Sequence, residues 1–393
     1  MSQQLVNHST DLKRLRDEGY EIEIRNGYLL IHHIPYVTPA RQIAFGTLIS
    51  ELTLSSNVQT ARPGTHVIYF QGEHPCDKNG AIISAISHAS PNQELFPGFI
   101  ANHSFSNKPQ NGYTDYYEKV KTYSDIISSQ AKSINPSVTE KTFRVLSDDS
   151  DPSSVFTYWD SNSSRANILT ISQKLQNQKI AIVGLGGTGA YILDLIAKCP
   201  VREVHLFDGD DFLQHNAFRS PGAASVEILN RHLKKVDYYK NVYGNMHKYI
   251  FSHAEFIDEN NLNSLNGFDC VFLSIDKGFI KRSIINQLIS QNTLFIDVGM
   301  GVEKVDDSLI GTIRVTAGNS IKYDHIQRRI SLNDDPNEAY TSNIQIAELN
   351  ALNASLAVIK WKKQIGFYND LEKEYHSTYS INISQLLNDE IGA

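Results

Sequence analysis

The run Lys179-Ile-Ala-Ile-Val-Gly-Leu-Gly-Gly-Thr-Gly189, followed by Val204-His-Leu-Phe-Asp208, places a cluster of glycines between a β-branched stretch and an apolar helical one. A carboxylate follows roughly 20 residues on. These are the residue types a phosphate-cradling turn requires. Gly184 suits a tight turn, Gly186 lets backbone N–H groups approach a phosphate with no Cβ between them, and Gly189 permits close packing of helix on strand. Gly187 completes the turn. The helix N-terminus then faces the anion, and Asp208 stands at the end of the next strand, about where a ribose-binding acid belongs. Dehydrogenases share this fingerprint, so by itself it leaves the nucleotide open.

The residues downstream narrow the chemistry. Asp208-Gly-Asp210 leads into Asn216 and Arg219, Lys234-Lys235 follow, and the strand-like Cys270-Val-Phe-Leu-Ser-Ile275 ends in Asp276. An arginine grips phosphate through a fork of donors and a lysine acts as a point charge. Preorganised groups of this kind contribute roughly 3–4 kcal/mol each where negative charge gathers on phosphate oxygens. Asp276, at the C-terminal end of a strand, lies where ligands of open α/β sheets bind and suits Mg²⁺, which takes one or two carboxylates. A helix cap is its alternative role. Asp210 serves the nucleotide, the metal or the turn itself.

Together these residues resemble the ThiF/MoeB-type adenylyltransferases of the ubiquitin-activating-enzyme-like superfamily, over about residues 165 to 365. The family's glycine turn matches Gly184, Gly186, Gly187 and Gly189, and its D-x-D followed by N-x-x-R matches Asp208, Asp210, Asn216 and Arg219. Its lysine matches Lys235, with Lys234 the competing register. Its metal-site aspartate matches Asp276, beside Lys277 where the family usually has Asn, and the arginine its dimers lend to the partner's ATP site resembles Arg165. The resemblance implies an α/β, Rossmann-like adenylation domain over 165–393 that uses ATP and Mg²⁺ as a homodimer. It also implies that the enzyme activates the C-terminal carboxylate of a ubiquitin-like or sulfur-carrier-like protein as an acyl-adenylate.

Two departures shape that expectation. The only cysteines are Cys76, Cys199 and Cys270, so no thiol follows the ATP site to accept an acyl group, and no paired CxxC ligands exist for zinc. The enzyme is therefore expected to stop at the acyl-adenylate and pass it to an acceptor, such as a conjugating-enzyme-like protein. Two other readings stand beside it: a nicotinamide-dependent oxidoreductase, which leaves Arg219, Lys235 and Asp276 without work, and an inactive nucleotide-binding scaffold.

Beyond Asp276, Thr293 to Asp297 reads as a strand and Val298-Gly-Met-Gly301 as a glycine-rich turn near the substrate channel, with Gly299 and Gly301 as hinge or close-approach positions. Thr312 to Val315 reads as a further strand. From Asn343 to Lys363, Ile346, Leu349, Leu352, Leu356 and Ile359 fall at helical spacing, which predicts a core-facing stripe. Ahead of the adenylation region, residues 1–150 form a smaller α+β module for docking a substrate or partner, bounded by the polar, breaker-rich stretch Ser147 to Ser164. Tyr20 to Ile24 and Tyr28 to His32 read as a hairpin about Arg25-Asn-Gly27, His66 to Phe70 as a strand, and Tyr116 to Ala131 as a helix. The loop Gly72-Glu-His-Pro-Cys-Asp-Lys-Asn-Gly80 faintly resembles the active-site approach of ubiquitin-conjugating enzymes, which makes Cys76 and Ser84 acceptor candidates; a turn held by Asp77 and Asn79 is the simpler reading. Module and adenylation region together resemble bacterial ThiF-like proteins with an uncharacterised N-terminal domain.

A formal charge of −7 over 393 residues argues against a nucleic-acid surface. The start Met-Ser-Gln-Gln shows no secretory pattern, no stretch reads as a membrane span, and three unpatterned cysteines suit a reducing cytoplasm.

Overall fold

Asn26 and Gly27 both take positive φ, 50° and 80°, as the two-residue turn of a hairpin requires. They join Ile22–Arg25 (β1) to Tyr28–Val37 (β2), with Arg25 opposite Tyr28. The computed structural model describes residues 2–145, 154–332 and 344–392. The chain divides into two units, Met1–Leu146 with Asp160–Ala166, and Ser147–Trp159 with Asn167–Ala393. In the first unit the hairpin continues through Ile43–Glu51 (β3), Val67–Gln71 (β4), Ser87–Ala89 (β5) and His103–Ser106 (β6) into a sheet of order β1-β2-β3-β4-β6-β5, antiparallel throughout. Helix α1, Tyr116–Ile134, is capped by Asp115 and buries Tyr116, Val120, Tyr123 and Ile127 in the unit's core, apolar positions at helical spacing. The short helix Ser161–Arg165 (α2) belongs to the same unit. Ser147 to Ser153 of the polar stretch lie outside the described residues.

The second unit is built on one eight-stranded sheet. Its strands are Lys179–Val183 (β7), Glu203–Phe207 (β8), Ile250–His253 (β9), Cys270–Leu273 (β10), Leu294–Val305 (β11), Ser308–Gly318 (β12), Glu374–Ser380 (β13) and Gln385–Ile391 (β14), in the order β9-β8-β7-β10-β11-β12-β13-β14. The first five pair in parallel and the rest antiparallel. Ile180 to Val183 are buried on both faces, as a central parallel strand demands. The chain leaves β7 toward β8 and β9, then returns to its other side with β10 and β11. That reversal makes the carboxyl ends of β7 and β10 a topological switch point, the place where open α/β sheets bind ligands. Flanking helices are Gly187–Ile196 (α3), Lys235–Tyr243 (α4), Gly278–Ser290 (α5) and Ala347–Gln364 (α6).

Two expectations are corrected here. The expected glycine turn at Val298 to Gly301 is the interior of β11, which pairs with β12 from Phe295–Gly318 to Val305–Ser308. Glycines disfavour strands, but here the cross-strand partner needs the space: a Cβ on Gly299 would meet the Arg314 guanidinium. The stripe expected on α6 is also rotated. Its buried face carries Leu349, Asn350, Asn353, Ala354, Ala357, Val358 and Trp361, while Leu352 and Ile359 are exposed. Small and amide side chains on that face allow close approach to α3 and the glycine turn, which larger aliphatic residues would obstruct. Asn343 lies outside the described residues. No helix among the described residues is long and apolar enough to cross a membrane.

His247 gives this unit an acid-sensitive point. Fully buried, it places Nε2 2.9 Å from Val201 O and Nδ1 3.2 Å from Tyr249 N. The first contact needs a donor and the second an acceptor, so only the neutral imidazole satisfies both. Burial lowers its pKa to about 4, against about 6.5 in an unfolded chain. Between these values the unfolded state binds the additional proton, so this contribution is fully present above about pH 6.5 and is lost as the pH falls toward 4. We expect a loss of at most about 3 kcal/mol from this group. Urea unfolding at pH 7 and pH 4.5 should show a smaller difference in His247→Gln than in the wild type; an unchanged difference would contradict the assignment.

Candidate nucleotide site

The glycine turn closes the end of β7. Gly184 takes φ +86°, and a Cβ there would stand 2.5 Å from Ser274 O, so both conformation and space require glycine. Its N–H donates to Phe207 O at 2.9 Å. Gly189 packs against Gly184 O and Gly187 against the Asn350 amide so closely that neither has room for a Cβ, whereas nothing lies within 4 Å of the Cβ position of Gly186. Gly186 is also the N-cap of α3. Only this glycine presents open backbone to an incoming group, and α3 begins three residues earlier than its apolar stretch suggests.

Asp208 is buried and holds the turn together: Oδ2 accepts from Leu185 N at 2.7 Å and Oδ1 from Asp210 N at 2.8 Å. The two adjacent lysines point in different directions. Lys235 Nζ, on a buried side chain at the start of α4, lies 2.7 Å from Asp210 Oδ2 and 3.5 Å from Asp208 Oδ1. Lys234 instead turns outward to Gly209 O at 2.9 Å and Asp211 Oδ1 at 2.8 Å. Asn216, buried, accepts from Leu213 N at 2.8 Å and so fixes the short helix Gln214–Ala217 that leads to Arg219. Arg219 is half-buried, and its Nε is a buried donor with no hydrogen-bond partner. Such a group costs stability unless something satisfies it. Asp276 lies three residues past β10, in the exposed loop before α5, and among the described residues no ion pair engages it.

Residues 164–304 match the ThiF family. The chain carries a ThiF-family domain. Residues 10–161 match a domain of unknown function, DUF6791. Among curated proteins, ubiquitin-like modifier-activating enzyme 5 of Drosophila mojavensis is 27% identical over 143 residues, which is 33% of this chain and 35% of that protein. The chain thus spans about a third of the length of the curated relative it matches. Among solved structures, E. coli MccB with ATP is 20% identical with a TM-score of 0.45, covering 57% of this chain and 67% of that one. PaaA is 16% identical with a TM-score of 0.48, covering 87% of this chain and 98% of that one.

Around the ThiF glycine turn, Asn350 is a contact the sequence reading missed. Its Oδ1 accepts from Thr188 Oγ1 at 2.8 Å and its Nδ2 donates to Arg219 O at 3.2 Å, so one side chain on α6 fixes both the start of α3 and the Arg219 segment. The available signal was an Asn pair spaced i, i+3 within an otherwise apolar helical pattern. Arg165, by contrast, belongs to the first unit, where Nη2 donates to Asp17 O at 2.6 Å and the guanidinium lies 5.9 Å from the centre of the Phe143 ring.

In the first unit, Cys76 is fully buried, its Sγ donates to His74 O at 3.3 Å, and burial with nearby Asp77 and Glu73 pushes its pKa up. A buried thiol with a raised pKa is a poor nucleophile. Asp77 Oδ1 accepts from Asn79 N and Ala81 N, the turn expected of this loop, and Ser84 is exposed. Cys199 and Cys270 are buried, as their apolar surroundings suggest.

Proposed function

We propose that this protein uses ATP to adenylylate the C-terminal carboxylate of a ubiquitin-like or sulfur-carrier-like protein. The observation that carries the reading is the unpartnered Nε of half-buried Arg219, a donor that a phosphate oxygen satisfies. ATP would be held by the open backbone at Gly186 and the α3 N-terminus, with Asp208 toward the ribose and Arg219 and Lys235 toward the phosphates. Among the described residues no group of three or more His, Cys, Asp or Glu is placed to hold a metal. Asp276, exposed and in no ion pair among the described residues, is the carboxylate that would hold Mg²⁺, an ion that takes one or two carboxylates, and the ion would neutralise charge on the phosphates.

In the reaction a carboxylate oxygen bonds to the α-phosphorus while the bond from that phosphorus to pyrophosphate breaks. Charge grows on oxygens that Arg219 and Lys235 address, and Lys235 is preorganised by Asp208 and Asp210. In this reading the protein works as a cytoplasmic homodimer in which Arg165 reaches the partner's ATP. The first unit docks the carrier or a conjugating-enzyme-like acceptor, and the acyl-adenylate leaves without an internal thioester. Calorimetry with ATP and magnesium, against NAD, separates this from the oxidoreductase reading. ATP binding at least tenfold tighter than NAD is expected; tight NAD binding with no detectable ATP binding would sink the proposal.

A further inference from the structure

Beside the candidate nucleotide site the second unit holds a charged triad. Asp297, fully buried on β11 opposite Leu273 at the end of β10, is flanked by Lys281 in the first turns of α5 and Arg314 on β12. Lys281 Nζ meets Oδ1 at 3.0 Å, off the angle of a hydrogen bond, and Arg314 Nη2 donates to Oδ2 at 2.7 Å. Arg314 Nη1 donates to Thr316 Oγ1 at 2.9 Å, and the guanidinium lies over Gly299, where a Cβ would stand 2.6 Å from Nη2. Asn353 Nδ2 donates to Gly299 O at 3.0 Å and so fixes that strand from the other helix. Two cations face one carboxylate. The neighbouring His376, whose Nδ1 lies 3.0 Å from Thr316 Oγ1, is held neutral by burial and by Arg329 and Arg314, its pKa down to about 4.

The triad carries a surplus positive charge, and its members differ in access. Lys281 and Asp297 are sealed in, while the Arg314 side chain keeps 19% of its surface exposed. Of its five donors, two are engaged, by Asp297 and Thr316, and none of its nitrogens is an unsatisfied buried atom. Its Nε, which makes no hydrogen bond, is therefore not a buried atom, and the guanidinium is accessible along that edge while Asp297 and Thr316 fix its orientation. Lys281 shares the loop-and-helix segment of Asp276, five residues further on, and Asp297 pairs with Leu273, three residues before Asp276 in the chain.

We propose that Arg314 is a specificity-determining residue that recognises the terminal carboxylate of the peptide to be activated and draws it to the nucleotide. The inference rests on the adenylation reading. Planar, preorganised donors with a surplus charge match a carboxylate and discriminate against a neutral terminal amide. The absence of a Cβ at Gly299 makes room for the guanidinium and the buried Asp297 carboxylate fixes its position, which gives both residues a part in the recognition.

The test titrates the full chain, saturated with a non-hydrolysable ATP analogue and magnesium, with a heptapeptide ending in Gly-Gly as the free acid and as the C-terminal amide. The wild type should prefer the acid by about tenfold or more, Arg314→Gln should lose the preference, and Arg314→Lys should keep part of it. Removing Arg314 leaves Asp297 paired with Lys281 as a balanced ion pair, so the variants should fold; unfolding temperature and analogue affinity serve as controls. Equal binding of acid and amide by the wild type, no binding of either, or an undiminished preference in Arg314→Gln overturns the inference while analogue binding persists. Failure to bind the analogue at all counts against the adenylation reading itself.

Discussion

Arg219→Ala and Asp276→Ala should each lower carrier-dependent ATP–pyrophosphate exchange by about 100-fold to 1000-fold, with the unfolding temperature almost unchanged. Arg219 meets Asn350 through its backbone oxygen, which alanine retains, and the substitution removes a buried donor that has no partner. Asp276 is exposed and engaged by no ion pair among the described residues, so its loss should leave the packing undisturbed. The two effects should differ in origin. The arginine variant should lose rate at saturating magnesium, whereas part of the defect in the aspartate variant should yield to higher magnesium. Full exchange in either variant removes that residue from the catalytic assignment.

Lys235→Met and Lys234→Met should behave oppositely although the residues are adjacent. Removing Lys235 takes the only cation within 4.0 Å of Asp208 among the described residues and leaves a buried carboxylate facing Asp210. An uncompensated buried charge is expensive, so a loss of about 3 kcal/mol in stability is expected, with exchange near background. Lys234 pairs with Asp211 at the surface, and exposed pairs contribute about 0–1 kcal/mol. Its variant should retain exchange within about twofold. Denaturant unfolding and exchange assays on both proteins check this, and equal effects would return the register to open choice.

The glycine turn was legible because steric demand is local: Gly184 and Gly189 answer contacts with each other and with the next strands, so their spacing carries the geometry. Asp208 was placed for the same reason, at a strand end. Adjacent Lys234 and Lys235 were not separable, since the bridge between Asp211 and Lys234 that turns one of them outward is a tertiary feature. Gly299 read as a turn because glycine is a breaker in isolation, and only its cross-strand partner Arg314, fifteen positions away, reveals a space requirement. On α6 the large aliphatic residues suggested the buried face, yet Asn350, Asn353 and two alanines hold it. Helical spacing reports periodicity, and the partner surface decides which face is covered. For the first unit the hairpin and helix α1 were readable, whereas the burial of Cys76 depends on its bridges to Val37 and Ile82, contacts no motif records.

The most direct measurement incubates the full chain with ATP labelled at the α-phosphate, magnesium and the carrier protein, then follows the label, pyrophosphate and any protein adduct. The account predicts pyrophosphate release, with AMP carried on the carrier as an acid-stable, hydroxylamine-sensitive acyl-adenylate. No reductant-sensitive adduct should form on the enzyme, and a variant lacking Cys76, Cys199 and Cys270 should give the same outcome. Absence of pyrophosphate release and labelled carrier, despite bound ATP, would contradict it. So would a reductant-sensitive enzyme adduct that vanishes when Cys76 is replaced, which would make the first unit a catalytic acceptor.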